Sequence, residues 1–250
     1  MPEHAVDGLI TIHCLTRSEG TSHGLRPDRA GAILRRRMIA DSGRYADAIV
    51  RFDAANAEDP NTESTGGAVE PRALVYARRM TAMLERFAPD APEAVRLAVR
   101  CQHIRRWEIP RASYPGTPEG YQAWRARLLD HHAGLAARIL RDAGYDEGMI
   151  ARVASIVRKE RLKKNPEAQL LEDVAALVFL EHYVAGFVAG HPEYGEAKLR
   201  DILQKTFRKM SPRGRDAVPT LIRLPAALAP FVLAEAGEQA RGRMGIEPRS

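Results

Sequence analysis

The sequence predicts an all-α domain, and two observations carry that prediction. From Arg44 onward apolar residues recur at helical spacing, about every 3.6 positions, with almost no strand-like alternation. Gly and Pro cluster in 57–69, 107–120, 190–195 and 211–220, as connectors between helices do. The first helix is expected near 44–56. A second, near 70–87, carries Pro71 in its first turn and presents Ala73, Leu74, Ala77 and Leu84 on one side, with Glu70 opening that side. A third, 91–106, ends in His103, Arg105 and Arg106. The fourth, 118–143, has the stripe Leu128, Leu135, Ala136 and Ile139 and is closed by Gly144. The fifth, 147–162, has the stripe Met149, Ile150, Val153, Ile156 and Val157; the sixth, 167–189, is apolar on most sides. Helices at 195–209 and 224–240 complete the set.

With 250 residues the chain can bury about 70–75% of its unfolded surface, so one domain over 44–240 needs no staples. Residues 1–43 read as a poorly ordered extension in which Met38, after Arg35-Arg36-Arg37, is a candidate start; 241–250 read as a flexible tail. At 45% hydrophobic and 28% charged, the composition excludes full-length disorder, and no apolar run spans a bilayer, so no membrane partner is expected. Two cysteines, Cys14 and Cys101, allow no thiolate zinc cage and point to a reducing, cytoplasmic setting. The net charge of +6 suits an anionic ligand. No P-loop, dinucleotide fingerprint or internal repeat is present.

Several polar groups fall where apolar ones belong. At about 100° per residue, Glu160 lies at the centre of the 147–162 stripe, His132 in the middle of the 118–143 stripe, and Asp173 on a face with Leu170, Leu177 and Leu180, followed by Glu181. Buried charges need partners or a metal, so these groups, with Glu70, suggest one shared polar centre. The plainer reading is a structural network in which Glu160, Asp173 and Glu181 neutralise Arg100, Arg105 or Arg106, with His132 a hydrogen-bonded core residue. A second cluster, Gln102 to Pro115, ends a helix in His103 and two arginines and continues as a proline-stiffened loop. Arg105, Arg106 and Arg111 there suit a phosphate or carboxylate, and Trp107 or Tyr114 a stacked ring. Lys159, with Arg158, Arg161, Lys163 and Lys164, is most simply a solvated helix end.

The stretches QHIRRWEIPRASYP, GYQAWRARLLDHH, IVRKERLKKNPEAQLLEDVAALVFLEHY and LQKTFRKMS resemble the bacterial and fungal family called domain of unknown function 4202, over roughly Tyr45 to Leu224. More distantly, the order of elements is similar to that of the HD superfamily of helical metal-dependent phosphohydrolases, which implies an HD-domain-like helical bundle. On that resemblance Glu70 stands where the superfamily has its first His, Gln102-His103 where it has its His-Asp doublet, His132 and Glu160 at accessory positions and Asp173 at the final Asp. Only His132 and Asp173 keep the residue type. The resemblance implies a divalent metal (Mn, Mg, Fe or Zn) held by His103, Asp173, Glu70, His132 and Glu160. Asp173, Glu160 and His132 would carry the chemistry, and Arg105, Arg106, Arg111, Tyr114 and Lys159 the substrate. Three functions stay open: a phosphohydrolase acting on a nucleotide or other small phosphorylated molecule, a metal-free anion- or nucleotide-binding module, and an RNA-associated protein. For nucleic acid the sequence offers pI ≈ 9.5, but no recognised motif and no aromatics interleaved with the basic patches. It does not reveal an oligomeric state.

Overall fold

The structure is a computed structural model that describes residues 29–224, 226 and 228–234. Two units are distinguished, Met1–Ala40 and Asp41–Ser250. Helix α1 runs over Arg29–Ala57, so residues 29–43, expected in the extension, are helical; Ala30, Ala32, Leu34 and the arginines are good helix formers. The expectations for 1–28, for the tail 241–250 and for the end of the 224–240 helix lie outside the described residues; 229–234 is helical.

After α1 the chain departs from its all-helical expectation. Strands β1 (Thr62–Thr65) and β2 (Ala68–Pro71) pair antiparallel across a two-residue turn, Gly66-Gly67, with φ +58° and +91°. Only glycine adopts this pair of conformations freely. Glu63 and Glu70 face each other in the ladder, and the like charges are balanced by Arg79 on Glu63 and Arg78 on Glu70. The hairpin is a small addition to an all-α body.

Helices α2 (Arg72–Phe87), α3 (Glu93–Cys101), α5 (Glu147–Val157) and α6 (Pro166–Val178) pack on one another, and α4 (Pro118–Asp142) lies along α5. Leu97, Ile156, Leu171 and Leu177 meet at the centre with no exposure. Each such side chain contributes about 1.5–3 kcal/mol of burial. Thr117, Asp146 and Asn165 cap α4, α5 and α6, and Ser211 the helix that begins at Pro212, by accepting from first-turn amides, at about 1 kcal/mol each. A π-helical turn, Phe179–Tyr183, continues α6 into α7 (Val184–Ala189); α8 (Glu196–Lys209) and α9 (Pro212–Leu221) follow. The stretch 211–220 is thus a helix, with Pro212 at its start, where a missing N–H is harmless.

Two expected helices end early. The third stops at Cys101, and the chain turns so that Ile104 enters the core while Arg105 takes a left-handed φ of 50°. The fifth stops at Val157, and Lys159 and Arg161 are left-handed at φ 57° and 52°. These residues break the 100° progression and carry the following side chains off the expected faces.

Candidate functional site

Helix α4 holds the loop that follows α3. Trp124 Nε1 donates to the Ile109 carbonyl at 2.9 Å, and His132 Nδ1 lies 2.8 Å and His131 Nε2 3.3 Å from the carbonyls of Ile104 and Arg105. Trp124, Leu128 and His132, four residues apart, share one buried face of α4. At the start of α4, Gly120 lies against Pro115, where a Cβ would stand 2.3 Å from the Pro115 carbonyl oxygen. The loop is therefore fixed at both ends.

Two cavities open along it. The larger, about 520 Å³, has aromatic walls from Tyr76, Trp107, Trp124 and Tyr183, with Arg106 and Arg111 at its side. The smaller, about 80 Å³, is lined by Gln102, Arg106, Arg125, His132 and Lys159. His103, Arg106 and Trp124 line both, so the two cavities adjoin. The His103 ring stacks on Tyr76, centroids 4.7 Å apart and planes 17° from parallel, and lies 5.6 Å from the His132 ring. The Arg106 guanidinium lies over Trp124, 4.8 Å from the ring centroid.

The walls of the smaller cavity carry cations and no carboxylate. Lys159 pairs with Glu172, which also feels the Arg125 cation, but among the described residues Arg106 and Arg125 make no ion pair. His132 is 1% exposed. Burial and the nearby Arg106 cation lower its pKa to about 3, although the Ile104 carbonyl pulls the other way. Burial, Arg106 and His132 lower His103 well below the ordinary histidine value. Both rings are neutral near pH 7. In a neutral ring whose Nδ1–H donates to Ile104, Nε2 carries a lone pair, and His132 Nε2 is buried with no partner among the described residues. Leaving such an atom unpaired costs about 1–3 kcal/mol, as much as the Ile104 bond contributes or more. Tyr183 also lines the larger cavity, with the Arg79 guanidinium over its ring, 5.1 Å from the centroid.

Of the residues expected from sequence, His103, His132, Arg106, Arg111 and Lys159 line this recess. Arg111 also spends its guanidinium on the carbonyls of Tyr114 and Pro115, 2.9 and 2.8 Å away. Arg105 is neutralised by Glu58 and Glu108, and Tyr114 lines neither cavity. The three carboxylates lie elsewhere. Glu160, expected to point inward, is exposed beside Arg158, because the left-handed Lys159 swings it out of the stripe. Glu70 sits on β2 with Arg78. Asp173 is buried as expected, but its oxygens accept from Ser211 N and Oγ (2.7 and 2.5 Å) and from Gln169 Nε2 (3.0 Å), anchoring the start of α9. The five residues expected around a metal thus do not form one shell; among the described residues no group of three or more His, Cys, Asp or Glu is placed to hold an ion. None of the ion pairs expected between Glu160, Asp173 or Glu181 and Arg100, Arg105 or Arg106 forms: Arg100 pairs with Asp53 and Glu181 with Arg86.

Sequence reasoning missed Tyr76, Trp124, Arg125 and Tyr183. Trp124 was within reach, since it lies eight residues before His132 on the same face. Tyr183 was not, because the π turn decides where it points.

Fold and site together define a helical domain with an aromatic recess that leads into a cationic pocket floored by a neutral histidine. The chain belongs to the family described as domain of unknown function (DUF4202), whose model matches residues 46–232. No curated protein and no solved structure matches it. No helix among the described residues is long and apolar enough to cross a membrane.

Proposed function

We propose that the chain binds a small phosphorylated aromatic molecule of nucleotide type. Its ring lies in the larger cavity between Tyr76, Trp107 and Trp124, and its phosphate in the smaller one against Arg106, Arg125 and His132. The observation that carries this reading is the unpaired His132 Nε2 in a pocket with two guanidiniums that make no ion pair among the described residues. A phosphate satisfies all three groups at once. One proton between Nε2 and a phosphate oxygen, brought by either partner, turns the orphan lone pair into a charge-assisted hydrogen bond. The second ionisation of a phosphate monoester lies near pH 6, so that proton is at hand. Aromatic walls hold a flat ring at small entropic cost, because they are fixed before binding. A cytoplasmic setting goes with this reading, since the buried thiol of Cys101, whose pKa burial pushes up to about 12, stays reduced there.

Titration calorimetry on the full chain tests it. AMP should bind more tightly than adenosine or inorganic phosphate, with or without chelator. Arg106→Lys keeps the charge and loses the planar fork, so it should weaken AMP by about tenfold or more, as a lost charge-assisted hydrogen bond does. Equal affinity for AMP and adenosine, or an unchanged Arg106→Lys chain, would refute the assignment. The phosphohydrolase expected from the HD resemblance has a separate signature: inorganic phosphate released from AMP only with added Mn or Mg, and not in chelator.

A further inference from the structure

The cationic pocket does not end at Arg125. Tyr121 and Arg125 also line a third, open cavity of about 910 Å³ between α4, the loop after α5 and the α8–α9 junction. Every charged residue on its walls is basic: Arg125, Lys163, Lys205, Arg208 and Lys209. Lys205 pairs with Asp201, whose carboxyl Arg208 also helps to hold low, whereas Lys163 and Arg208 themselves make no ion pair among the described residues. Tyr121 stands at the junction 42% exposed, with the guanidiniums of Arg111 and Arg125 each 5.8 Å from its ring centroid. Tyr121 therefore places an aromatic ring where the cationic pocket meets the basic groove.

The three cavities have a fixed order. The aromatic one shares residues with the small cationic pocket, the cationic pocket shares others with the groove, and the first and last share none. Ring, phosphate, then further anionic chain is the order of groups in the 3′-terminal nucleotide of a strand, whose base is followed by its own 5′-phosphate and then by the preceding nucleotide. A 5′-phosphorylated end would instead stop in the middle pocket and leave the groove unfilled, and a 5′-hydroxyl end would present a 3′-phosphate there; the nucleotide reading, with its phosphate on the 5′ carbon as in AMP, selects the 3′ end. We infer that the site receives the 3′ end of a single-stranded nucleic acid, with the last base in the aromatic cavity, its phosphate at Arg106 and His132, the next base on Tyr121 and the backbone along Lys163 and Arg208. Sequence-tolerant strand binding of this kind combines a basic groove with exposed rings. The inference rests on the nucleotide reading above and extends it from a free molecule to a strand end.

Fluorescence anisotropy with a single-stranded hexanucleotide, beside calorimetry with AMP, tests it on the full chain. The strand labelled at its 5′ end should bind at least tenfold more tightly than AMP. The same strand with the dye on its 3′ end should lose that gain, because the dye blocks entry to the aromatic cavity. Lys163→Glu combined with Arg208→Glu should abolish the gain, leave AMP affinity unchanged and reduce the slope of log affinity against log salt by about 1.4, at about 0.7 per cation. If AMP binds and the strand binds no better, the inference fails and the nucleotide reading stands. If neither binds, both fail. Equal binding with either end labelled, full affinity in Arg106→Lys, or equal affinity for a blunt duplex would overturn end recognition in favour of a general polyanion surface.

Discussion

His132 ties the pocket to pH. In the folded chain burial keeps its ring neutral down to about pH 3, while in the unfolded chain it takes a proton near the ordinary value of 6.5. Between those values the unfolded state holds more protons, so stability rises with pH there and is lost as pH falls below 6.5. His103, lowered in the same direction, adds a term of the same sign. One pKa unit is worth about 1.4 kcal/mol, so between pH 7 and 5 His132 alone should remove about 2 kcal/mol. Urea unfolding at the two pH values should show that difference shrinking by about that amount in His132→Gln, whatever the variant's stability at pH 7. An unchanged difference would mean that His132 is charged in the native state. The same group predicts proton uptake with AMP, read as a dependence of binding heat on the buffer's ionisation enthalpy and as affinity that rises from pH 8 to 6.

Helix α9 depends on one carboxylate. Asp173 holds the capping Ser211 and packs on Gly214, where an added Cβ would lie 2.7 Å from Asp173 Cγ. Gly214→Ala should cost about 1–3 kcal/mol, seen as a lower Tm. Gly134→Ala on α4, whose Cβ would meet nothing within 4 Å, should be neutral or stabilising by up to about 1 kcal/mol. These paired glycines also show what the sequence makes legible. Periodicity finds α2 to α6 and puts His132 and Asp173 inside, because burial repeats with the helical turn. It cannot tell an inward carboxylate that serves a ligand from one that serves a neighbouring helix, and Asp173 serves α9. It misplaces Glu160 because a helix end set by a left-handed Lys159 has no apolar signature. The hairpin was readable from Gly66-Gly67, but four-residue strands carry too little alternation to stand against the helical pattern around them.

Within the unit Asp41–Ser250, the buried Arg100 gathers three helices. Its Nε and Nη2 meet Asp53 of α1 at 2.7 and 2.5 Å, and Nη1 donates to Thr81 of α2 at 3.1 Å. Asp53→Asn would leave that guanidinium buried without a counter-charge, at about 3 kcal/mol or somewhat less because Asp53 is partly exposed. Thermal unfolding should show a single transition shifted down; an unchanged Tm would mean that Arg100 finds another partner. The whole chain carries +6, and the three left-handed non-glycine residues among the described ones, Arg105, Lys159 and Arg161, are all cations. Holding an ordinary side chain in that conformation costs about 1–2 kcal/mol, which glycine would relieve. Mutation toward glycine at 105, 159 or 161 would therefore be rewarded by stability and penalised wherever the positive field matters. These three positions are where selection on folding and selection on binding pull in opposite directions, and arginine or lysine retained there among relatives would record which of the two prevailed.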